Sequence, residues 1–347
     1  MDELLKQLLG AAGVSGYEQE VARIVHAGFT AAGARAEIDA FGNVYGRKGA
    51  GRKKILLAAH LDEIGLVVKH ITKEGYVNFI KVGGIDDRIL VGQRVVIKNK
   101  QGDAAGVIGL KPPHLMKDEE RKKTIEYTDL FIDIGSASRE AAQQRIAVGD
   151  PVIFEPNAGV LHETVCYGKA VDDRVGCYVL IKILEQLSSL DAEVTAVATV
   201  QEEVGLKGAR TAAFKIAPDF ALVFDTTSAG DTPLIKEQES ALKIGNGASI
   251  TLMEAGGRGL LVTEKMRAFL IETAQQENIK YQLDILEGGM TDGAMISLTR
   301  EGILTGVLSI PARYAHSPSG VFDRRDVQAV IDLAVAAIKR FSQRQTW

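Results

Sequence analysis

The stretch Lys169-Ala170-Val171-Asp172-Asp173-Arg174-Val175-Gly176 sets two adjacent aspartates at the mouth of an apolar-periodic segment, with Val175, Val179, Ile183 and Leu187 on one helical face. Taken alone, such a pair reads as a helix N-cap followed by a first-turn acid. Four other segments change that reading, because each ends in residues able to share a cation with an aspartate: His60, Glu202-Glu203, Asp225 and His316. Two imidazoles and three carboxylates suit two divalent ions, each held by one histidine and one terminal carboxylate while a third carboxylate bridges them. Mixed nitrogen and oxygen donors favour zinc, cobalt or manganese, whereas an all-oxygen shell favours magnesium or calcium. Two such ions about 3.5–4 Å apart bind and deprotonate a bridging water while one polarises a substrate carbonyl. That water still needs a base. Of two neighbouring glutamates, one can ligate while the other stays free to carry the proton to a leaving amine.

The elements that must position these residues are legible as an α/β pattern. Leu4, Leu5 and Leu8 mark a short first helix. Ser15-Gly16-Tyr17-Glu18 reads as a capping box, with Val21, Ile24, Val25 and Phe29 as the helical stripe behind it. Lys54 to Ala59 is apolar without alternation after its first residue, as in a strand buried on both faces, and it delivers His60 at its carboxyl end. Val194 to Val200 leads in the same way to Glu202-Glu203, and Phe220 to Phe224 leads to Asp225. A fourth strand, Ile303 to Ile310, precedes His316 by a few residues. Helices are expected around Met266–Thr273 and Val327–Phe341. Ligands of open α/β sheets collect beyond the carboxyl ends of the strands, where these side chains fall.

Between the first strand and the aspartate pair the texture differs. Short β-rich pieces at 66–71, 76–82, 94–99, 104–110, 130–134 and 152–154 are separated by glycine turns, the spacing of a small barrel or sandwich. The expected organisation is a catalytic α/β domain, 1–65 and 160–347, interrupted by a β-rich domain at 66–159. The charged span 117–123 reads as a surface loop within it. At 347 residues with 46% hydrophobic content and 36 glycines, the chain has the composition of a two-domain globular protein with a large core. A net charge of −4 gives no basic field for nucleic acid or anionic lipid. No apolar run approaches the roughly 18 residues that span a membrane. Met1-Asp2-Glu3 opens without a cationic leader, and the two cysteines, Cys166 and Cys177, are too few for a disulfide framework, so a cytoplasmic setting is expected.

Five segments also carry a family resemblance: His60-Leu61-Asp62-Glu63-Ile64-Gly65, Gly168 to Arg174, Gln201-Glu202-Glu203-Val204-Gly205-Leu206-Lys207-Gly208, Val223-Phe224-Asp225 and Arg313-Tyr314-Ala315-His316-Ser317. In this order, over nearly the whole chain, they resemble the tetrahedral aminopeptidase family, which includes glutamyl, leucyl and lysyl aminopeptidases and members labelled endoglucanases. The resemblance implies a three-layer α/β/α zinc-peptidase-like domain with an inserted small β-barrel. It implies that His60, Asp172 and Asp225 hold one metal ion and Asp172, Glu203 and His316 the other, zinc or cobalt in each. Glu202 becomes the general base and Asp62 the partner orienting His60, with a cis peptide bond between Asp172 and Asp173. The family's β-rich insertion pairs subunits, and dimers close into a hollow dodecamer that admits short peptides.

The expected function is therefore a binuclear metalloaminopeptidase that removes N-terminal residues from short peptides by attack of a metal-bridging water, with Glu202 as base. Another di-metal amide hydrolase (a carboxypeptidase or deacylase), an endoglucanase using two carboxylates without a transition metal, or a non-catalytic binding protein are the alternatives. His70, His114 and His162 have no partner motif and read as surface or barrel-packing residues. The cysteines read as inert buried thiols. Gly288-Gly289-Met290-Thr291-Asp292-Gly293 resembles a family loop with an inserted-looking Met290, leaving Asp292 as a pocket residue. Arg88 and Arg258 could select an acidic side chain, although surface roles suit both.

Overall fold

The computed structural model describes residues 1–188 and 190–344, so Ser189 and the last three positions of the expected catalytic domain lie outside it. Its larger unit is built on an 11-stranded sheet. The centre consists of four mutually parallel strands in the order Glu193–Thr199, Lys54–His60, Phe220–Ser228 and Leu304–Arg313. Burial is continuous along each of them apart from end residues, which explains their unbroken apolar runs: helices cover both faces. Val171–Gln186 and Arg324–Gln343 are two of those helices, each with its apolar stripe in the core. Antiparallel strands extend both edges, Val44–Lys48 and Arg35–Ile38 on one side and Gly320–Asp323, Val165–Gly168 and Ala158–His162 on the other.

The register brings the chemistry to one edge. Thr199 pairs with His60, and Asp225 lies two residues beyond the Val223–Ala58 pair, level with His60 at the carboxyl ends of the strands.

The second unit is a closed six-stranded barrel ordered Gly65–Ile71, Val77–Val82, Phe131–Asp133, Ala104–Gly109, Arg94–Ile97 and Pro151–Phe154. Closure removes exposed sheet edges, and the barrel has its own apolar core around Leu66, Val77, Ile97, Ile132 and Val152. Within the charged span expected to be a loop, Asp118–Arg121 forms one helical turn.

The capping-box expectation at Ser15–Glu18 is corrected. The helix begins at Gln19, and Glu18, at its boundary, makes no side-chain cap. The Ser15 hydroxyl instead donates to Asp62 at 2.6 Å, while Glu18 accepts from the backbone N–H of Gly16 at 2.7 Å and of Gln201 at 3.2 Å. Asp62, just past the end of one central strand, takes the Ser15 hydroxyl, and the backbone N–H groups of Gly16 and Gln201 take Glu18, which leaves neither side chain for the helix terminus.

Beneath the site lies an ion cluster that no sequence argument singled out. Glu63 is 2% exposed and accepts from Lys169 Nζ at 2.7 and 2.8 Å and from Arg174 Nη2 at 3.2 Å. Lys169 also donates to Ala11 O, and Arg174 to Leu8 O, Ala11 O and Leu61 O, so both cations pin the N-terminal segment beneath the aspartate pair. Burial, ahead of the attraction of Glu63, brings the Lys169 ammonium down to about 8. Glu63→Gln leaves two buried cations without their counter-charge and should lower unfolding stability by about 3–5 kcal/mol. Chemical denaturation of chelator-treated protein measures this, and an unchanged midpoint would show that the cluster is not a structural anchor.

Candidate metal centre

Each donor reaches the site from a different element. His60 ends a central strand, Asp225 lies near the end of the next, and Glu202 and Glu203 follow Thr199 through a turn in which Gln201 adopts a left-handed backbone with φ +57°. Asp172 stands at the mouth of the Val171–Gln186 helix, and His316 lies just past Leu304–Arg313.

The two aspartates separate into two roles. Asp173 is the helix cap, its Oδ1 accepting from Gly176 N at 3.0 Å and its Oδ2 from His60 N at 3.3 Å. Asp172 has non-helical backbone and faces the histidines instead. The peptide bond between the two is cis. Asp172 Oδ1 lies 3.0 Å from His60 Nε2 and Asp172 Oδ2 3.3 Å from His316 Nε2. Asp172 is therefore shared by two donor groups, His60–Asp172–Asp225 and Asp172–Glu203–His316, in each of which the ligand atoms lie within 4.8 Å of one another.

Both imidazoles are oriented alike. His60 Nδ1 contacts Asp62 O at 3.0 Å and His316 Nδ1 contacts Gly84 O at 2.8 Å. A carbonyl accepts only, so each Nδ1 carries a proton and each Nε2 is the nitrogen turned toward the carboxylates, the one left to bind a cation once its own proton is displaced. The Asp62 carboxylate, fully buried, accepts from Glu202 N at 2.9 Å, Glu203 N at 3.1 Å and Ser15 Oγ.

The electrostatics describe a cluster short of positive charge. Burial raises Glu202 and Asp225 well above the carboxylate range, and burial followed by repulsion from Asp172 brings Glu203 to about 7. Burial alone would lower the His60 imidazole, but Glu202, Asp172, Asp62 and Asp225 carry it well above its usual value. The contact with Asp172 takes His316 to about 10, and the two imidazoles hold Asp172 low despite its burial. Glu203 Oε1 is buried without a hydrogen-bond partner. An orphaned carboxylate oxygen, two imidazoles with Nε2 turned to shared acids and mutually repelling carboxylates fit divalent cations well.

The neighbouring glutamates also diverge. Glu202 borders a cavity of about 130 Å³ together with His60, Asp172, Asp225 and His316, and belongs to neither donor group. Glu203 turns away toward His316, 3.7 Å from its Nε2. Asp292, 1% exposed, accepts from the Thr199 hydroxyl behind the site and does not border the cavity. Arg88 is paired with Asp86 on the barrel surface, and Arg258 donates to Ala255 O. His70, His114 and His162 are exposed and lie outside the site; Cys166 and Cys177 are buried free thiols, their acidity suppressed chiefly by burial.

Sequence reasoning gave Ser15 and Glu18 a capping role rather than a place beside the site, and assigned none to Thr199 or Gly84. The signal for Gly84 is the Gly83-Gly84 pair in the barrel: a side chain on Gly84 would come within 3.1 Å of His316 Nδ1, and one on Gly83, at φ +79°, within 3.1 Å of Glu203 Oε2.

A family model for M42 glutamyl aminopeptidases matches residues 42–333. The lysyl aminopeptidase of Pyrococcus furiosus is 34% identical, with 97% of this chain and 96% of that protein aligned. The crystal structure of a TET aminopeptidase from the marine sediment archaeon Thaumarchaeota archaeon SCGC AB-539-E09 superposes with a TM-score of 0.94 at 38% identity, covering 97% of this chain and 95% of that one. A Pyrococcus horikoshii TET1 peptidase, which can assemble into a tetrahedron or a large octahedral shell, gives a TM-score of 0.86 at 33% identity over 96% and 98% of the two chains.

Removing a shared donor and a single-group donor should have different effects. Asp172→Asn should lower metal content at both positions, and His60→Ala at one, as read by elemental analysis after dialysis against zinc. Full occupancy in the His60 variant would take His60 out of the shell.

Proposed function

The chain belongs to the M42 glutamyl aminopeptidase family and is a metal-dependent aminopeptidase, and on that premise we propose a binuclear site in which Glu202 is the general base. His60, Asp172 and Asp225 would hold one ion and Asp172, Glu203 and His316 the second, zinc and cobalt both suiting these donors. Two divalent ions in these positions would supply Lewis acidity, making water a nucleophile near neutral pH and polarising the peptide carbonyl.

The observation that carries this reading is the divergence of the paired glutamates. Glu203 lies in a donor group, whereas Glu202 belongs to neither group and borders the cavity beside His60, Asp172 and Asp225. Its carboxylate takes a proton as water adds to the first peptide carbonyl carbon. As the carbon–nitrogen bond breaks, Glu202 returns that proton to the departing amine. Asp62 holds the backbone of both glutamates, so base and ligand keep a fixed spacing through the cycle.

Assembly is part of the same proposal. The barrel pairs subunits, and dimers close into a dodecamer that admits short peptides, a reading supported by the apolar Ile80 and Val107 exposed on the barrel and by the shells of the P. horikoshii relative. Light scattering should give a mass near that of twelve chains; a monomer at micromolar concentration would overturn it.

Glu202→Gln should keep both ions and lose about 10²–10⁴-fold in turnover. The assay is hydrolysis of unblocked aminoacyl amides before chelation, after it and after metal is restored. Equal loss of metal and activity would make Glu202 a ligand, and activity only on blocked peptides or glucans would overturn the aminopeptidase reading.

A further inference from the structure

The cavity beside the donors has a wall that the metal chemistry leaves unused. Beyond the donors and Glu202, it is formed by the end of the Phe220–Ser228 strand, the loop from Leu286 to Thr291, and Ala315. Across Asp172, beside Ile64, Val171, Glu203, Tyr314 and His316, the cleft offers only about 10 Å³, against about 130 Å³ on the Glu202 side. A substrate whose first carbonyl reaches Glu202 finds the larger space for its N-terminal side chain toward Thr227, Leu286 and Met290.

The wall residues that border the cavity carry no formal charge, Glu287 of the same loop lying outside the lining. The Thr227 hydroxyl donates to Asp284 at 2.7 Å and the Thr291 hydroxyl to Glu254 at 2.6 Å, so both are committed to carboxylates behind the wall. Glu254 also accepts from Leu260 N, and neither acid borders the cavity. The arginines that might have received an acidic side chain are engaged elsewhere, Arg88 by Asp86 and Arg258 by Ala255 O. Met290 stands at the rim, 48% exposed, and its stem packs so closely on Gly259 that a side chain there would come within 2.8 Å of its Cγ.

We infer that this wall selects peptides whose N-terminal residue has an uncharged, apolar side chain of about leucine or methionine size, with Met290 the specificity-determining residue at the rim. The inference rests on the aminopeptidase reading above. A glutamate side chain entering here loses its water, meets no cation and has Glu254 and Asp284 behind the wall. A lysine side chain finds no acid on this wall, Asp284 and Glu254 lying behind it and already accepting hydrogen bonds from Thr227, Thr291 and Leu260. Placing an unpaired charge on such a surface is disfavoured, whereas apolar contact with Leu286 and the flexible Met290 thioether gains by leaving water.

The test compares metal-loaded wild-type protein and Met290→Arg on the methylcoumarin amides of leucine, methionine, glutamate and lysine. Wild type should show kcat/KM for leucine and methionine above glutamate and lysine by about tenfold or more. Free leucine should bind more tightly than free glutamate by titration calorimetry, a readout independent of turnover. In Met290→Arg, whose altered side chain is half exposed, the glutamate-to-leucine ratio should rise about tenfold with the thermal midpoint unchanged. Preference of the wild type for glutamate or lysine would overturn the selectivity while leaving the aminopeptidase intact. An unmoved ratio in a stable variant would remove Met290 from the rim, and no hydrolysis of any amide would overturn the aminopeptidase reading on which the inference stands.

Discussion

The carboxylate of Asp62 is the constraint from which the site takes its shape. It has no solvent access, and it gathers the backbone N–H groups of Glu202 and Glu203, the Ser15 hydroxyl and the edge of the His60 imidazole. A carboxylate offers about four lone-pair directions, and here they join a strand end, a post-strand turn and the N-terminal segment. Asp62 stays ionised despite the burial that opposes it, because the His60 contact and the donated hydrogen bonds hold it below its ordinary value. Its own backbone carbonyl fixes the His60 tautomer. One residue thus sets the direction of one candidate ligand and the spacing of Glu202 from another.

Around this hub the charge balance is deliberately incomplete. Asp172, Glu202, Glu203 and Asp225 converge with two imidazoles as their ion-pair partners. One layer deeper, Glu63 is fully matched by Lys169 and Arg174. The contrast separates anchoring from chemistry: the paired cluster is closed by hydrogen bonds, while the unpaired one leaves the Glu203 Oε1 oxygen without a partner. Low local dielectric makes both statements strong, since it penalises an unmatched acid as sharply as it rewards a matched one.

Much of this was legible in the residues, for reasons tied to burial. The central strands read clearly because a strand covered on both faces must be apolar throughout, and its first polar residue then marks the sheet edge; His60 and Asp225 were found that way. The barrel's strands were visible through their glycine turns. The division of labour between Asp172 and Asp173 was not, because adjacent acids at a helix mouth look identical until the backbone turns one to the cap and the other to the histidines. Ser15 and Glu18 misled for a related reason: the local pattern of a capping box says nothing of partners nearly 50 and more than 180 residues away. Met290 looked like an irregularity in a loop, and its place at the cavity depends on a fold no local pattern reports.

The contact between Gly84 and His316 bears on how this molecule could have been put together. The carbonyl that orients one candidate ligand belongs to the barrel, while the imidazole belongs to the sheet 232 positions later. Tyr17, from the sheet unit, donates back to Gly149 O at the barrel's far end of sequence. Insertions are commonly thought of as cargo, exchangeable because the host is complete without them. Here the host is not complete. Shortening the chain to its sheet would leave His316 free to turn its nitrogens either way, so the inserted segment and the hydrolytic centre must vary together as one inherited unit.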